Sequence, residues 1–187
     1  ETMQLCVSCK GCKRECPTGV DMAKMKIEFL YHYTQRHGLS IKDRLVAYLP
    51  RYAAMASRVA PLMNLRDTVP GLAWLSEKIL GFSAKRALPK WRVDRFDAKA
   101  VGVDPSVCPA GKSVILFADT FNTYFEPENL RAAKRVLDAA GYRVIAARAQ
   151  DGDKQGHRPL CCGRTFLAAG LVDEARAEAR RTLAALL

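Results

Sequence analysis

The sequence has no apolar run long enough to cross a membrane and no recognisable export signal. Its hydrophobic stretches fall well short of the ~20 residues that a spanning helix needs. The first residues, ETMQLC, have neither the basic start nor the apolar core of a secretory signal. Together with the cysteine usage described below, these absences predict a cytoplasmic protein.

Nucleic-acid-binding signatures are also missing. No helix-turn-helix, zinc-finger or RNA-binding pattern is found, so we expect no nucleic acid partner despite a net charge of +11. Most of the surplus lies in residues 1–100, with 18 Lys/Arg against 9 Asp/Glu, whereas residues 101–187 hold 12 against 10. The cations could offset a negatively charged thiolate cluster and meet acidic parts of a longer polypeptide. They could also provide a peripheral membrane contact.

The ends of the sequence do not resemble those of a complete protein. No initiator methionine stands at position 1, and the last residues, ARAEARRTLAALL, have the pattern of an unfinished helix. We interpret the 187 residues as a fragment of a longer polypeptide.

The cysteine content does not suit a disulfide framework. The chain has seven cysteines, an odd number, and its 49% hydrophobic content is sufficient for an ordinary core. Four cysteines crowd near the amino terminus, and the others are Cys108, Cys161 and Cys162. We therefore expect reduced thiols.

The amino-terminal run is typical of an iron–sulfur site. Cys6, Cys9, Cys12 and Cys16 follow C-x2-C-x2-C-x3-C with a proline next, the spacing of bacterial [4Fe–4S] loops. Short spacers let soft thiolates converge, and Gly11 is expected to relax the backbone there. Zinc fits less well, because zinc sites usually pair two separated C-x2-C elements. In two-cluster ferredoxins the fourth cysteine binds the other cluster, and this sequence has no second such run.

Helical patterns dominate residues 1–81, the predicted iron–sulfur domain. Asp21 is the expected N-cap of a long helix that Gly38 ends, and Ser40 is the expected start of a second helix that stops before Pro50. Further helical stretches are predicted at 51–60, 62–64 and 71–80.

Residues 82–112 have no clear periodicity and are interpreted as a connector. It is rich in basic residues and prolines, and we expect it to wrap over a neighbouring surface with Trp91 and Phe96 as anchors.

From residue 113 to 187 the pattern becomes α/β. Predicted strands at 113–119 and 142–147 flank a predicted helix at 127–140, and a final helix starts near Val172. A strand–helix–strand order predicts parallel pairing with a right-handed crossover. The predicted fold class is therefore α+β overall: a helical region followed by a βαβ domain.

A second cysteine site is predicted at Cys161 and Cys162, directly before Gly163. Adjacent thiols seldom bond to each other, so their pairing favours a metal, a cluster or thiol chemistry. Two small buried core residues are the alternative interpretation. Of the three histidines, only His157 lies close enough in sequence to be a candidate partner.

Taken in order, these motifs resemble the iron–sulfur portion of FAD-linked oxidases. The run CVSCKGCKRECP precedes a helical region, and VILFADTFNTYFEPE, AAGYRV and LCCGR follow. In that family a vanillyl-alcohol-oxidase-type flavin domain is joined to, or partnered by, a ferredoxin-like domain and a cysteine-rich CCG domain. The resemblance covers almost the whole chain and is greatest to fused bacterial proteins of the D-2-hydroxyglutarate and D-lactate dehydrogenase type.

The resemblance implies specific ligands in the amino-terminal loop. Cys6, Cys9 and Cys12 would bind one [4Fe–4S] cluster, and Cys16 would bind a second cluster whose other ligands lie upstream. An excised chain would then hold less than one full cluster, or none.

The resemblance also makes Cys161 and Cys162 candidate metal ligands. They match the CC of the CCG motif, which helps to hold a cluster in heterodisulfide reductases. Two departures weaken the match: Asp119 stands where those reductases have an earlier cysteine, and no second CCG-like repeat follows.

The function implied by the resemblance is electron transfer. A 2-hydroxy acid would reduce FAD in a separate upstream domain, and electrons would leave singly through clusters to a quinone, flavoprotein or cytochrome. Lys10, Lys13 and Arg14 would then either raise the cluster potential or act as solvated or docking charges. Two alternatives stay open: a heterodisulfide-reductase-like catalytic module and a cluster-free docking scaffold. The fragment alone is expected to be inactive.

Overall fold

Helices make up most of the described structure. It is a computed structural model that describes residues 2–101, 112–148 and 158–187. The α-helices are α1 Gly11–Glu15, α2 Met22–His37, α3 Ile41–Ala47, α4 Leu49–Arg58, α5 Ala60–Thr68, α6 Leu72–Leu80, α7 Thr120–Tyr124, α8 Pro127–Ala139, α9 Arg164–Ala168 and α10 Val172–Leu186. Short 3₁₀ turns occur at Thr2–Leu5 and Ala98–Ala100. Within these ranges, no helix combines the length and apolar character needed to cross a membrane.

The predicted caps of α2 and α3 are confirmed. The Asp21 carboxylate accepts a hydrogen bond from the Lys24 amide at 3.0 Å, and Gly38 ends α2 with a positive φ. The Ser40 hydroxyl accepts from the Asp43 amide at 3.1 Å at the start of α3. Side-chain oxygens thus satisfy amides that the first helical turn leaves without partners.

Prolines start helices α4 and α5, although the sequence pattern placed them between helices. Pro50 lies in the first turn of α4, and Pro61 lies in the first turn of α5. The predicted stretches at 51–60 and 62–64 are therefore wrong in their bounds. Amide hydrogens in the first turn of a helix have no partner within the helix, so proline, which has none, loses no hydrogen bond there. Its fixed φ also suits a helix start.

The predicted strand–helix–strand unit is present. Strands β1 Ser113–Leu116 and β2 Arg143–Ala146 pair in parallel, with Val114 opposite Val144, and α8 connects them. β1 is shorter than predicted because Asp119 caps α7, its carboxylate accepting from the Phe121 amide at 2.8 Å. Helices plus one small parallel sheet are α+β in outline, and the ferredoxin-like and CCG-type identities stay predictions.

The connector is anchored by the two aromatic residues named from the sequence. Phe96 is buried with Ala118 and Leu130, and the Trp91 ring centre lies 4.4 Å from that of Phe125. These contacts attach the connector to the helix and sheet that follow it. The anchoring prediction is confirmed.

Residues of the predicted helical domain pack directly on α9 and α10. Tyr48 lies edge-on to the fully buried Phe166 ring, at 5.3 Å between ring centres, and Ala47 completes this cluster. Arg51 pairs with Glu174 beside it. Gly170 also lies so close to α2 that a Cβ there would be 2.6 Å from the Leu30 carbonyl carbon.

This close approach makes Gly170 a sensitive position. We expect Gly170→Ala to lower the free energy of unfolding by about 3 kcal/mol, because it adds a backbone clash to the cost of a left-handed alanine. Gly141→Ala is the matched control, since Gly141 has a similar φ and open space around it, and should cost about 1 kcal/mol. Urea unfolding measures both. Equal losses would contradict the packing of Gly170 on α2.

Candidate cysteine sites

The amino-terminal cysteines lie in and around the short helix α1. Cys9 and Cys12 are exposed, whereas Cys6 and Cys16 are half-buried. The Cys16 amide donates to the Cys12 carbonyl at 2.9 Å, which closes α1. The Lys26 ammonium on α2 donates to the Cys6 carbonyl at 2.7 Å. The loop is therefore attached to α2 near Cys6, and the thiols of Cys9 and Cys12 are exposed.

The loop backbone is left-handed at two residues that are not glycine. Ser8 has a φ of 57° and Lys10 a φ of 62°, one in each of the first two spacers between cysteines. Each such residue costs about 1–2 kcal/mol, a strain found most often at functional sites. Gly11 does not relax the loop as expected, because it begins α1 without a positive φ. The turn is taken at Lys10 instead.

Cys16 has the most hydrogen bonds of the first four cysteines. Its Sγ lies 3.1 Å from the Thr18 hydroxyl, within hydrogen-bond distance for sulfur. This contact, with the backbone N–H groups of Val20, Thr18 and Gly19, lowers the pKa of Cys16. Donors aimed at the sulfur favour the thiolate, which is the form that binds metals. Thr18 is not part of the cysteine motif, so the sequence did not predict its contact with Cys16.

A buried carboxylate lies beside the loop. The Asp21 side chain is only 8% exposed, and its Oδ2 lies 3.7 Å from the Lys10 ammonium and 3.9 Å from that of Lys13. The Lys24 amide, and then these two lysines, hold the pKa of Asp21 below its usual value. Of Lys10, Lys13 and Arg14, the cations expected to act on a cluster, the two lysines thus lie close to a carboxylate. Their effect on a cluster would be reduced accordingly.

Thiols of the loop fit an iron–sulfur group by donor type, but they are not arranged as a preformed site. Across the described ranges, no three Cys, His, Asp or Glu side chains are placed to hold a metal ion together. Exposed thiols on a short loop can converge when a metal binds, because metal binding is commonly coupled to local folding. The assignment of Cys6, Cys9, Cys12 and Cys16 as cluster ligands stays a prediction from the sequence.

The second cysteine pair has one buried and one exposed member. Cys161 is 4% exposed and Cys162 is exposed. Burial raises the pKa of Cys161, although the Gly163 amide partly opposes this. Gly163 has a φ of 79°, and a Cβ there would lie 2.7 Å from the Ala175 carbonyl oxygen on α10. The glycine of this motif is required by helix packing.

Helix α10 holds the CCG segment through buried polar contacts. Thr182 donates to the Cys161 carbonyl at 2.9 Å, and Arg181 donates to the carbonyls of Arg158 and Pro159. Glu178, 3% exposed, accepts from Arg158 at 2.7 Å and faces Arg181 at 3.6 Å. Nothing in the pattern ARAEARRT marks these residues, because they appear as ordinary charges on a helix.

Asp119 serves as a helix cap. Its Oδ1 accepts from the Phe121 and Asn122 amides, and its Oδ2 accepts from the Asn122 side chain at 2.5 Å. Both carboxylate oxygens are thus engaged within α7. The candidate His157 lies outside the described residues.

Cys16 and Cys161, whose pKa values move in opposite directions, should differ in reactivity. In the metal-free chain we expect iodoacetamide to alkylate Cys16 far faster than Cys161, because Cys16 has a lowered pKa and Cys161 is buried with a raised one. Peptide mass spectrometry across pH 6–10 measures both rates. Thr18→Val should move the Cys16 midpoint to higher pH, whereas Thr68→Val on α5 should not. An unchanged midpoint in Thr18→Val would contradict the role of that hydroxyl.

The Glu178 cluster should contribute substantially to stability. Glu178→Gln removes the negative charge that faces two guanidinium groups, and we expect it to cost about 2–3 kcal/mol in urea unfolding. Asp173→Asn is the control on the same helix, because its pair with Arg176 is exposed and should contribute less than about 0.5 kcal/mol. Similar losses in both variants would overturn this assignment.

Comparison with known proteins gives a weak but consistent similarity. The chain is 24% identical over 156 residues to D-2-hydroxyglutarate dehydrogenase from Escherichia coli (strain K12), covering 78% of this chain. It is 26% identical over 161 residues to the protein of the same name from Pseudomonas putida, covering 79% of this chain. The chain spans about 15% of the length of these relatives. No family model and no solved structure matches. The chain thus resembles a small portion of D-2-hydroxyglutarate dehydrogenases.

Proposed function

We propose that this chain is the iron–sulfur electron-transfer portion of an FAD-dependent 2-hydroxy-acid dehydrogenase. The observation that carries the proposal is the run of Cys6, Cys9, Cys12 and Cys16 followed by proline, in a chain similar to D-2-hydroxyglutarate dehydrogenases. Because the chain spans about 15% of those relatives, the flavin and the hydroxy acid would be bound by other parts of a longer protein. The flavin-binding domain is then its main partner.

The loop residues would have distinct roles toward the clusters. Cys6, Cys9 and Cys12 would hold one [4Fe–4S] cluster, and Cys16 would reach a second cluster outside this chain. Exposure of Cys9 and Cys12, and the lowered pKa of Cys16, support these roles. A bound cluster supplies one-electron transfer, which suits passage from a two-electron flavin to a quinone, flavoprotein or cytochrome.

Other loop residues would position these thiols. The left-handed turns at Ser8 and Lys10 reverse the chain between cysteines, and Lys26 attaches the Cys6 carbonyl to α2. Thr18 and the amides after Pro17 would donate to the Cys16 sulfur. Asp21 would hold Lys10 and Lys13 beside the loop, so that their charges stay close to the thiolates.

A catalytic module of the heterodisulfide-reductase type receives less support. Both oxygens of Asp119 are engaged in capping α7, and Cys161, the first residue of the CCG segment, is buried and has a raised pKa. A buried thiol of this kind suits a structural role better than attack on a disulfide. Cys162, which is exposed, would be the member of the pair available to a metal.

Iron and acid-labile sulfide assays test the cluster proposal. As purified in air, the 187-residue chain should contain less than one cluster, because the fourth cysteine is assigned to a different cluster. After anaerobic reconstitution, Cys9→Ser should lose most of the bound iron and the visible charge-transfer absorption. Cys108→Ser, at a cysteine outside both cysteine motifs, should keep both.

Two outcomes would contradict the proposal. Equal iron and absorption in the Cys9→Ser and unchanged chains would exclude the loop as the site and favour a cluster-free scaffold. A stable, fully loaded cluster in the chain as purified would overturn the assignment of Cys16 to a second cluster.

A further inference from the structure

Helix α6 exposes several large apolar side chains to solvent. Its half-buried side is formed by Leu72, Ala73, Ser76 and Leu80. The remainder of the helix carries exposed apolar residues: Trp74 and Ile79 are each 60% exposed, and Leu75 is 43% exposed. On α5, Leu62 is 65% exposed and Met63 is 42% exposed. We call these five residues the outer apolar face.

The inner side of α5 is polar instead. Asn64 exchanges two hydrogen bonds of 2.9 Å with the Trp91 backbone. Arg66 donates to the Ser76 hydroxyl at 3.0 Å and to the Ser83 carbonyl at 2.8 Å. A helix that faces water normally has the reverse pattern. Polar groups inside and large apolar groups outside indicate that this face is covered when the protein functions.

Four cations that have no carboxylate partner among the described residues lie on α6 and in the segment that follows it. Lys78, Lys85, Arg86 and Lys90 are exposed, and none pairs with a carboxylate in the part of the chain that the structure describes. Residues 58–90 contain six Lys/Arg and only two Asp/Glu. Both acids are engaged: Asp67 with Arg66 and the Leu88 amide, and Glu77 with the Ala84 amide.

Lys78 brings positive charge beside the exposed tryptophan of α6. The Lys78 ammonium is 6.0 Å from the Trp74 ring centre, on the outward side of α6. Hydrogen bonds from Arg66 to the Phe82 and Ser83 carbonyls hold the chain just beyond the end of α6. Lys85 and Arg86 follow in a segment that runs back along the α5–α6 pair, where the Ala84 amide donates to Glu77 at 3.2 Å and the Leu88 amide to Asp67 at 2.9 Å.

We infer that the outer apolar face docks on the surface of an anionic lipid bilayer. Trp74, Ile79 and Leu62 would enter the interfacial layer, and Lys78, Lys85 and Arg86 would meet the lipid headgroups. Tryptophan beside lysine is the composition of interfacial helices, whereas the centres of protein interfaces are depleted of lysine. At nine residues, α6 is too short to span a bilayer and would lie along it. The inference is independent of the cluster proposal, because none of these residues lies in a cysteine segment.

Vesicle binding of the 187-residue chain tests this inference. The probes are vesicles of phosphatidylcholine alone and vesicles with roughly one-third phosphatidylglycerol, compared by co-sedimentation at low salt and at about 0.5 M salt. We expect binding to the anionic vesicles at low salt, at least about tenfold weaker binding to the neutral ones, and loss at high salt. In Trp91→Phe, which leaves Trp74 as the only tryptophan, anionic vesicles should shift the fluorescence to shorter wavelength.

Two pairs of variants separate the contributions. Trp74→Ser with Ile79→Ser, and Lys85→Glu with Arg86→Glu, should each weaken binding at least about tenfold. The matched control is Arg135→Glu with Val136→Ser on α8, both exposed and distant in sequence from α6, which should bind like the unchanged chain.

Several results would overturn the inference. These are absence of binding to anionic vesicles, equal binding to both vesicle types, or equal loss in the α8 control. Unchanged binding in Trp74→Ser with Ile79→Ser would show a purely electrostatic contact that does not use the apolar face. Self-association in sedimentation that is lost in that same variant, without vesicle binding, would assign the face to a second copy of this chain.

Discussion

The packing of Phe166 against Tyr48 and Ala47 holds the two cysteine-bearing parts of the chain together. Phe166 is fully buried although it lies on a five-residue helix, and its ring is covered by residues more than a hundred positions earlier. Arg51 lies over both aromatic rings and pairs with Glu174 at the border of this contact. This contact packs α9, which directly follows the CCG segment, against the end of α3.

Much of the core, including part of the Phe166 cluster, is built from alanine. Ala23, Ala47, Ala53, Ala56, Ala60, Ala118, Ala146, Ala147 and Ala175 are all buried. Small residues allow helices to approach closely but contribute little apolar area each. Polar contacts therefore fix the arrangement: Ser57 donates to the Arg92 carbonyl at 2.7 Å, and Asn64 holds the Trp91 backbone. A buried polar group without its partner is costly, so such contacts define a single packing.

The two cysteine segments differ in how the surrounding protein treats their thiols. The first loop is exposed and strained at Ser8 and Lys10, and it directs a hydroxyl and amides at Cys16. The second segment is held by α10, and it buries Cys161 while it leaves Cys162 exposed. The first arrangement suits thiolates that take up a metal or cluster from solution. The second suits a segment whose residues are needed for packing against α10. Gly163 illustrates this, because Ala175 leaves no room for a side chain there.

Local sequence signals determined the helix ends at Asp21, Gly38 and Ser40, the parallel strand pair and the anchoring role of Trp91 and Phe96. Such features depend on neighbouring residues or on apolar patterns, which the sequence displays directly. The candidate ligands in the first loop are likewise visible from spacing alone. Only the tertiary structure revealed Thr18 beside Cys16, Glu178 beneath the CCG segment and the outward apolar side of α6. In α5 the polar residues face inward and apolar residues are exposed, the reverse of the usual pattern. A sequence does not reveal such a reversal, because packing against distant residues decides which face of a helix is buried.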